Sequence, residues 1–226
     1  MGGRSGRQLA AIGAWAVVAL WVIGFFLAGK PPKFDGTPES VVHYYSSHHK
    51  EILIASILVA IGLAVYLAVL AELAAYLRAS GQWSLAAAVI MGGAASAGLF
   101  AVGDALYGVI AQAVAAPGAD PGLAKALYML DQYAGVAMYW LVLVVIGSVA
   151  IAAARGVFPR WALWLTVLFA VLVALAGFTV KASGAFAAGT GPIANLGFGA
   201  ALVFLLMVGV LLWGAREPEP GAQITA

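Results

Sequence analysis

The sequence predicts an all-α integral membrane protein, a bundle whose six helices cross the bilayer. Hydrophobic residues make up 64% of the chain and charged residues only 9%, whereas a soluble domain is typically about 25% charged. All lysines and arginines also lie at or near the ends of long apolar runs. Because a hydrocarbon core about 30 Å thick needs about 20 apolar residues per helix, six helices occupy more than half of the chain. We therefore predict one membrane domain over residues 1–226.

Composition also argues against several classes of function. The formal net charge is +2, and the basic residues are scattered at helix ends, which argues against nucleic acid as a partner. The chain has no cysteine, so disulfides, thiolate metal ligands and cysteine nucleophiles are excluded. The sequence also contains no Gly-Lys-Ser/Thr phosphate loop, no G-x-S-x-G elbow and no H-E-x-x-H pair.

The first spanning helix is predicted over residues 9–28, and Pro31 and Pro32 end it. A cleaved signal peptide is the alternative, because Arg4 and Arg7 precede this apolar run. The run is longer than the usual apolar region of about 7–15 residues, and no small-x-small cleavage site follows it. We therefore expect this helix to be retained.

A short amphipathic helix on the outer surface is predicted over residues 38–49, before the second spanning helix. Thr37 precedes Pro38, and a capping residue ahead of a proline in the first turn is typical of a helix start. Turn residues then separate the remaining spans. These are predicted over residues 51–77, 84–114, 123–154, 161–180 and 193–213, followed by a polar tail over residues 214–226.

The distribution of charge predicts the orientation. Basic residues near helix ends favour the cytoplasmic side, and the arginines fall on one side of the predicted bundle and the lysines on the other. The tight turns at 78–83 and 155–160 favour the arginine side as the inside, so both termini are expected in the cytoplasm. The two sets are Arg4, Arg7, Arg78, Arg155, Arg160 and Arg216, against Lys30, Lys33, Lys50, Lys125 and Lys181.

Small residues follow one face of the third spanning helix. They include Gly92, Gly93, Ser96 and Ala97, and such spacing allows close helix packing in lipid. The pattern is explained by contact within one subunit or, alternatively, by a homodimer seam.

Three carboxylates fall within the apolar spans, and a charge at bilayer depth costs about 2.5–3.5 kcal/mol on insertion scales. Glu72 lies near the inner headgroups, where pairing with Arg155 or Arg160, or snorkelling, would explain it. Asp104 and Asp131 lie deeper, on the third and fourth spanning helices. A short loop joins these helices, so we expect them to be antiparallel neighbours with both aspartates at similar depth.

A polar seam is predicted between these two helices, open to the outside. The fourth helix carries a stripe with a spacing of three and four residues, and Tyr107 follows Asp104 by one turn. The stripe consists of Lys125, Tyr128, Gln132, Gly135 and Tyr139. The seam is explained by interhelical hydrogen bonds, by a hydrated cavity for a ligand, ion or proton, or by a catalytic carboxylate pair. Lys181 is expected to be a snorkelling residue or a counter-ion for either aspartate.

All three histidines, at positions 43, 48 and 49, lie in the segment before the second spanning helix. On a regular helix His43 and His48 do not share a face, whereas zinc needs three or four ligands in defined geometry. Solvated or interfacial histidines, a metal site of His48 and His49 completed by an aspartate, and a pH sensor near neutrality are the three interpretations.

Three short stretches carry a resemblance to known proteins. They are Thr37-Pro38-Glu39 through Tyr44-Tyr45 and His48-His49, then Ala126 to Asp131, and the turn Gly156 to Trp161. The chain resembles a class of small multi-pass membrane proteins of unknown function from high-GC bacteria. The resemblance implies the six-helix fold and no particular chemistry.

The leading hypothesis is a non-enzymatic plasma-membrane protein with an outward-facing pocket for a small ligand or ion, or an accessory subunit of a membrane complex. The pocket would be lined by Asp104, Tyr107, Tyr128, Asp131 and Gln132, with His48 and His49 over its mouth. One alternative is a small proton-coupled transporter that uses Asp104 and Asp131 as relay groups. The other is a metal-dependent membrane enzyme that uses both histidines and the aspartates.

Overall fold

A computed structural model describes residues 4–116, 118–181 and 183–215. In that part of the chain the regular structure is entirely helical, apart from one isolated bridge between Lys181 and Ala187. The helices are α1 (Arg4–Ala28), α2 (Pro38–Ser47), α3 (His49–Ala79), α4 (Trp83–Val114), α5 (Pro121–Ala154), α6 (Arg160–Gly177) and α7 (Pro192–Gly214).

The predicted fold class is confirmed. Six of the helices, all except α2, are long and apolar enough to cross a membrane. The chain is therefore a multi-pass membrane protein, and its outer face carries exposed apolar side chains such as Phe26, which is 83% exposed. In lipid such side chains contact acyl chains, so their exposure carries no hydrophobic penalty.

Some helix bounds differ from the prediction. The first helix begins at Arg4 rather than near residue 9, and α6 ends at Gly177 rather than at residue 180. Beyond Gly177 the backbone tightens into a shorter turn, in which Phe178 N donates to Leu175 O at 3.2 Å and Thr179 Oγ1 donates to Ala176 O at 2.6 Å. These bonds satisfy carbonyls that the last turn of a helix leaves free.

The short helix α2 is also confirmed, and its start follows the predicted logic. Thr37 is the N-cap, its hydroxyl accepts a hydrogen bond from Ser40 N at 3.3 Å, and Pro38 occupies the first turn. The helix ends at Ser47 rather than at residue 49, because the backbone of His48 departs from helical geometry. α2 is therefore a separate element that lies across the end of the bundle against α3, α4 and α5.

The six long helices form a closed ring. Around it, each helix packs on the next in the order α1, α3, α4, α5, α6, α7 and back to α1. Successive neighbours are antiparallel, because each connection lies at one end of the bundle and the helix after it runs back to the other end. One end carries α2 and the segments 29–37 and 178–191, and we call it the α2 end.

The small residues of α4 pack inside the subunit, as the first of the two interpretations predicted. A Cβ added to Gly92 would lie 2.8 Å from Val144 Cβ on α5, and one added to Gly93 would lie 2.1 Å from Leu70 Cδ1 on α3. Ser96 is buried and donates to Gly93 O at 2.9 Å, and Ala97 is buried beside it. The face that carries these residues therefore packs against α3 and α5 within the subunit, and a homodimer stays a prediction.

Charge is segregated between the two ends, as predicted from the sequence. The arginines of the described residues lie at the end opposite α2, and Arg216 lies outside the described residues; the lysines lie at the α2 end. Exposed tryptophans accompany the arginines, at positions 83, 161, 164 and 213. Such aromatic side chains are typical of a membrane–water interface.

The surroundings of Glu72 differ from one of the expectations. Arg155, an expected partner, instead donates from Nη1 to Gln82 Oε1 at 2.6 Å. Glu72 is itself half-buried, as the snorkelling interpretation expects. The buried arginine at this end is Arg7, whose guanidinium lies 5.8 Å from the centre of the Tyr76 ring.

Candidate functional site

A cavity of about 380 Å³ lies inside the ring, towards the α2 end. Its walls come from α1, α3, α4, α5 and α7, so it is larger in extent than the seam between two helices that the sequence predicted. Its polar lining consists of Ser56, Asp104, Tyr107, Asp131, Gln132, Tyr139 and Asn195. Its apolar lining includes Phe25, Val59, Leu99, Phe100, Met138 and Phe198.

Asp131 is held in place by its neighbours on α4 and α5. Gln132 Nε2 donates to Asp131 Oδ2 at 2.8 Å. The other carboxylate oxygen lies against the α4 backbone, since a Cβ added to Gly103 would be 2.9 Å from Asp131 Oδ1. A side chain at position 103 would therefore displace this carboxylate oxygen.

Gln132 depends in turn on a glycine in the 178–191 segment. A Cβ added to Gly189 would lie 1.6 Å from Gln132 Oε1, and Gly189 has a φ of 63°. Both facts favour glycine there, because L-residues with side chains rarely adopt this backbone conformation. The segment that connects α6 to α7 therefore orients the amide that binds the Asp131 carboxylate.

Asp104 lines the same cavity from α4. Ser56 lines the cavity from α3, with its hydroxyl close to the Asp104 carboxylate. Asn195 adds an amide from the first turn of α7. The cavity thus brings together two carboxylates, two amides and a serine hydroxyl.

Tyr139 contributes its ring rather than a free hydroxyl. Its Oη donates to Ala194 O at 3.0 Å and thereby joins α5 to the start of α7. The hydroxyl is consequently occupied, while the ring belongs to the cavity wall.

The cavity is covered at the α2 end by segment 29–37 and α2, which we call the roof. Phe34 anchors this segment: its side chain is buried against Val136 and Ala188, and its N donates to Thr190 Oγ1 at 3.3 Å. The Gly29 and Pro31 residues of the segment line the cavity below.

The two residues of the predicted stripe nearest the α2 end hold the roof and do not line the cavity. Tyr128 is fully buried and its hydroxyl donates to Pro32 O at 2.6 Å, while Lys125 Nζ donates to Phe34 O. Tyr128, which was predicted to line the pocket, is thus not among the residues that line this cavity. The stripe is divided by depth, since Gln132, Gly135 and Tyr139 line the cavity and the two residues above them bind main-chain carbonyls.

A cluster of tyrosines joins α2 to the bundle. Tyr44 Oη donates to Ala28 O at 2.8 Å, so in its 2.5 Å contact with Tyr107 Oη the Tyr107 hydroxyl is the donor. Burial raises the pKa of both Tyr44 and Tyr45 above the usual value. Both hydroxyls therefore stay protonated at physiological pH, and that of Tyr44 serves α2 as a neutral hydrogen-bonding group.

Lys181 does not lie at the cavity. It is exposed in the 178–191 segment, where its backbone donates to Phe186 O at 3.0 Å and accepts from Ala188 N at 3.0 Å. Lys181, which was expected to be a snorkelling residue or a counter-ion for either aspartate, is thus not among the residues that line the cavity with Asp104 and Asp131.

The histidines lie beside the roof rather than within the cavity. The His48 ring would be 3.5 Å from a Cβ on Gly29, at the cavity edge, and its Nδ1 lies 3.1 Å from Tyr44 O. His49 is half-buried, and its Nε2 has no hydrogen-bond partner in the described ranges. Among the residues that the structure describes, no three His, Asp or Glu side chains are arranged to hold a metal ion.

The residues that sequence reasoning did not place at this site are mainly those on α1, α3 and α7. Phe25, Ser56 and Phe198 occur in ordinary apolar runs, and no local pattern distinguishes them from their neighbours. Their position follows from closure of the ring, which brings distant helices to one cavity.

No protein-family model, curated protein or solved structure matches this chain. The chemistry of the cavity therefore has to be inferred from its own residues.

Proposed function

We propose that this multi-pass membrane protein binds a small ligand or ion in the cavity at its α2 end and performs no catalysis there. The observation that carries the proposal is that Asp104 and Asp131 line one cavity in the bundle interior. Carboxylates inside a membrane are costly and mark functional sites by default. Here they share the cavity with amide and hydroxyl groups, as in ligand sites where a few polar groups stand in a mostly apolar wall.

The predicted orientation places this cavity on the outer side of the plasma membrane. The end opposite α2 carries the described arginines, and basic residues favour the cytoplasmic side. A ligand would then come from outside the cell or from the outer leaflet. The resemblance to small multi-pass proteins of high-GC bacteria supports a bacterial plasma membrane as the setting.

Native mass spectrometry of the protein released from nanodiscs tests the proposal. We expect a bound mass at fixed stoichiometry in the wild type, and loss of that mass in Asp131→Asn and Asp104→Asn. Glu72→Gln is the matched control, because Glu72 lies on α3 outside the cavity lining. A bare wild-type chain, with both aspartate variants merely melting at lower temperature, would leave the carboxylates with a structural role only.

The same measurement addresses the accessory-subunit hypothesis. A partner chain that is retained at fixed stoichiometry, with no small ligand in the cavity, would favour it. The polar groups would then serve contacts within a larger membrane complex.

A proton-coupled transporter is the second candidate function, and the presence of two carboxylates in one cavity favours it. Close carboxylates influence one another's protonation, which suits a relay. In proteoliposomes, ligand flux that follows an imposed pH gradient and stops in Asp131→Asn would support transport. Binding without flux would restrict the protein to ligand capture.

A metal-dependent enzyme has less support. His48 and His49 lie at the roof, and the third ligand that zinc requires is missing from the described residues. Stoichiometric zinc that disappears in the double variant His48→Ala/His49→Ala would nevertheless restore this hypothesis.

A further inference from the structure

A groove of about 430 Å³ opens between α1 and α7 on the outside of the ring. Its apolar lining consists of Val22, Phe25, Phe26, Phe198 and Leu202, and Gly29 and Lys30 border it at the α2 end. Phe26 is 83% exposed, and the neighbouring Ile23 is 52% exposed, so this face meets acyl chains in a bilayer. Because Phe25 and Phe26 occupy the last turn of α1, the groove lies in the leaflet at the α2 end.

The groove and the cavity have a common wall. Phe25, Gly29 and Phe198 line both of them. Phe25 and Phe198 meet edge to face, with ring centroids 4.7 Å apart. Rotation of either ring away from the other would join the lipid-facing groove to the polar interior.

The charge of the cavity selects the ligand. Two carboxylates line it, and no Lys, Arg or His occurs among its lining residues in the described part of the chain. An opposite charge close by stabilises a buried carboxylate, and a cationic ligand would supply that charge. The lining also includes Phe100, Tyr107 and Tyr139, and aromatic faces bind organic ammonium ions through cation–π contacts.

The apolar half of the ligand also has a place. Phe100, Met138 and Phe198 border a second, smaller cavity of about 40 Å³ that continues into the bundle core between apolar side chains. The polar groups thus stand beside apolar surfaces in two adjoining cavities. A molecule with an ammonium head and an apolar chain matches this arrangement, with the chain directed out through the larger groove.

We infer that the ligand is an amphiphilic organic cation that enters the cavity from the bilayer between α1 and α7. This inference rests on the proposed function, because it names the ligand class and the route for the same cavity. The ammonium group would lie near Asp104 and Asp131. The Phe25–Phe198 pair would separate the occupied cavity from lipid.

Binding of an alkylammonium series to the protein in phosphatidylcholine nanodiscs tests this inference. The probes are tetramethylammonium and decyltrimethylammonium, with decyl glucoside as the uncharged control of equal chain length. Protein-free nanodiscs give the partitioning of each probe, so that affinity is expressed per mole fraction in the bilayer. We expect decyltrimethylammonium to bind at least tenfold more tightly than either other probe. Asp131→Asn should weaken the binding of decyltrimethylammonium at least tenfold. Asp104→Asn replaces Asp131→Asn in this test if the latter does not fold.

Substitutions on α1 test the route. Val22→Trp fills the groove, whereas Ile23→Trp places the same side chain on the adjacent lipid-facing position outside it. Val22→Trp should slow association of decyltrimethylammonium severalfold in stopped-flow mixing, Ile23→Trp should leave it unchanged, and Phe25→Ala should accelerate it. Equal association rates in all three variants would overturn the lateral route.

The outcomes also separate this inference from the proposed function. If tetramethylammonium binds as tightly as decyltrimethylammonium, in an Asp131-dependent way, the cavity binds small cations from water and only this inference fails. If decyl glucoside binds as tightly as the cation, the ligand class is wrong. If no probe binds and native mass spectrometry finds no ligand, the proposed function fails as well.

Discussion

Gly197 on α7 provides a sharp test of how α6 and α7 pack beside the cavity. A Cβ added there would lie 2.1 Å from Ala176 Cβ and 3.2 Å from Leu172 O on α6. Carbon atoms in contact stand about 3.5–4.0 Å apart, so the helices in Gly197→Ala must separate by roughly 1.5 Å. The side chain of Ala176 is a single methyl group, which cannot rotate out of the way. The contact with Leu172 is with its backbone oxygen.

The cost can be worked out by comparison with Gly199, which is on the same helix and has nothing within 4 Å of its added Cβ. Alanine raises helix propensity by about 0.8–1 kcal/mol at either position, so this gain cancels between the two variants. Overpacking costs about 1–3 kcal/mol. At about 2–4 °C per kcal/mol for a chain of this length, Gly197→Ala should melt about 2–12 °C below Gly199→Ala.

Thermal unfolding of both variants in the same detergent measures this difference. Circular dichroism at 222 nm reports loss of helix, and size-exclusion chromatography before heating verifies that each variant starts as the same species. Equal melting temperatures, or a higher one for Gly197→Ala, would refute the close α6–α7 contact and with it the placement of the neighbouring Phe198 at the cavity.

Three further predictions follow from single contacts. Gly103→Ala should displace the Asp131 carboxylate and weaken ammonium binding about five- to tenfold in the nanodisc assay, as expected from loss of roughly 1–1.4 kcal/mol. Gly108→Ala is the control and should bind normally, because its added Cβ meets nothing within 4 Å. Equal affinities of the two variants would contradict the geometry. Tyr128→Phe removes a hydrogen bond to the roof and should destabilise the roof by about 1–3 kcal/mol. We expect faster amide hydrogen exchange in segment 29–37. Unchanged exchange would show that the bond is unimportant. Asp120→Ala removes the cap that binds the first amides of α5 at 2.8 and 3.4 Å and should lower unfolding free energy by about 0.5–2 kcal/mol in chemical denaturation, with no change counting against the cap.

The sequence was sufficient to predict the helices, because each lies in a long apolar run bounded by turn residues or charges. It was also sufficient to predict that Asp104 and Asp131 lie at similar depth, since a short loop makes α4 and α5 antiparallel neighbours. Both aspartates line one cavity in the structure. Local spacing and loop length determine these features, and both can be read without knowing the rest of the fold.

The extent of the cavity could not be predicted in this way. Periodicity identifies the face of a helix but not the helix that it meets, so nothing in the sequence placed Phe25 and Phe198 in contact. The stripe on α5 was predicted on the correct face of the helix, but its residues have two different roles. Lys125 and Tyr128 bind the backbone of segment 29–37, because this segment lies beside them. The position of a loop depends on tertiary packing and cannot be predicted from residue spacing.

The ring of helices has a consequence for biosynthesis. Every pair of neighbours in it is joined by a connecting segment except α1 and α7. During translation α7 emerges after the other helices, and until it inserts beside α1 the carboxylates of α4 and α5 face an incomplete enclosure. The site is therefore completed by the insertion of α7, and the junction formed at that moment is the one whose Phe25, Gly29 and Phe198 line both the cavity and the lipid-facing groove.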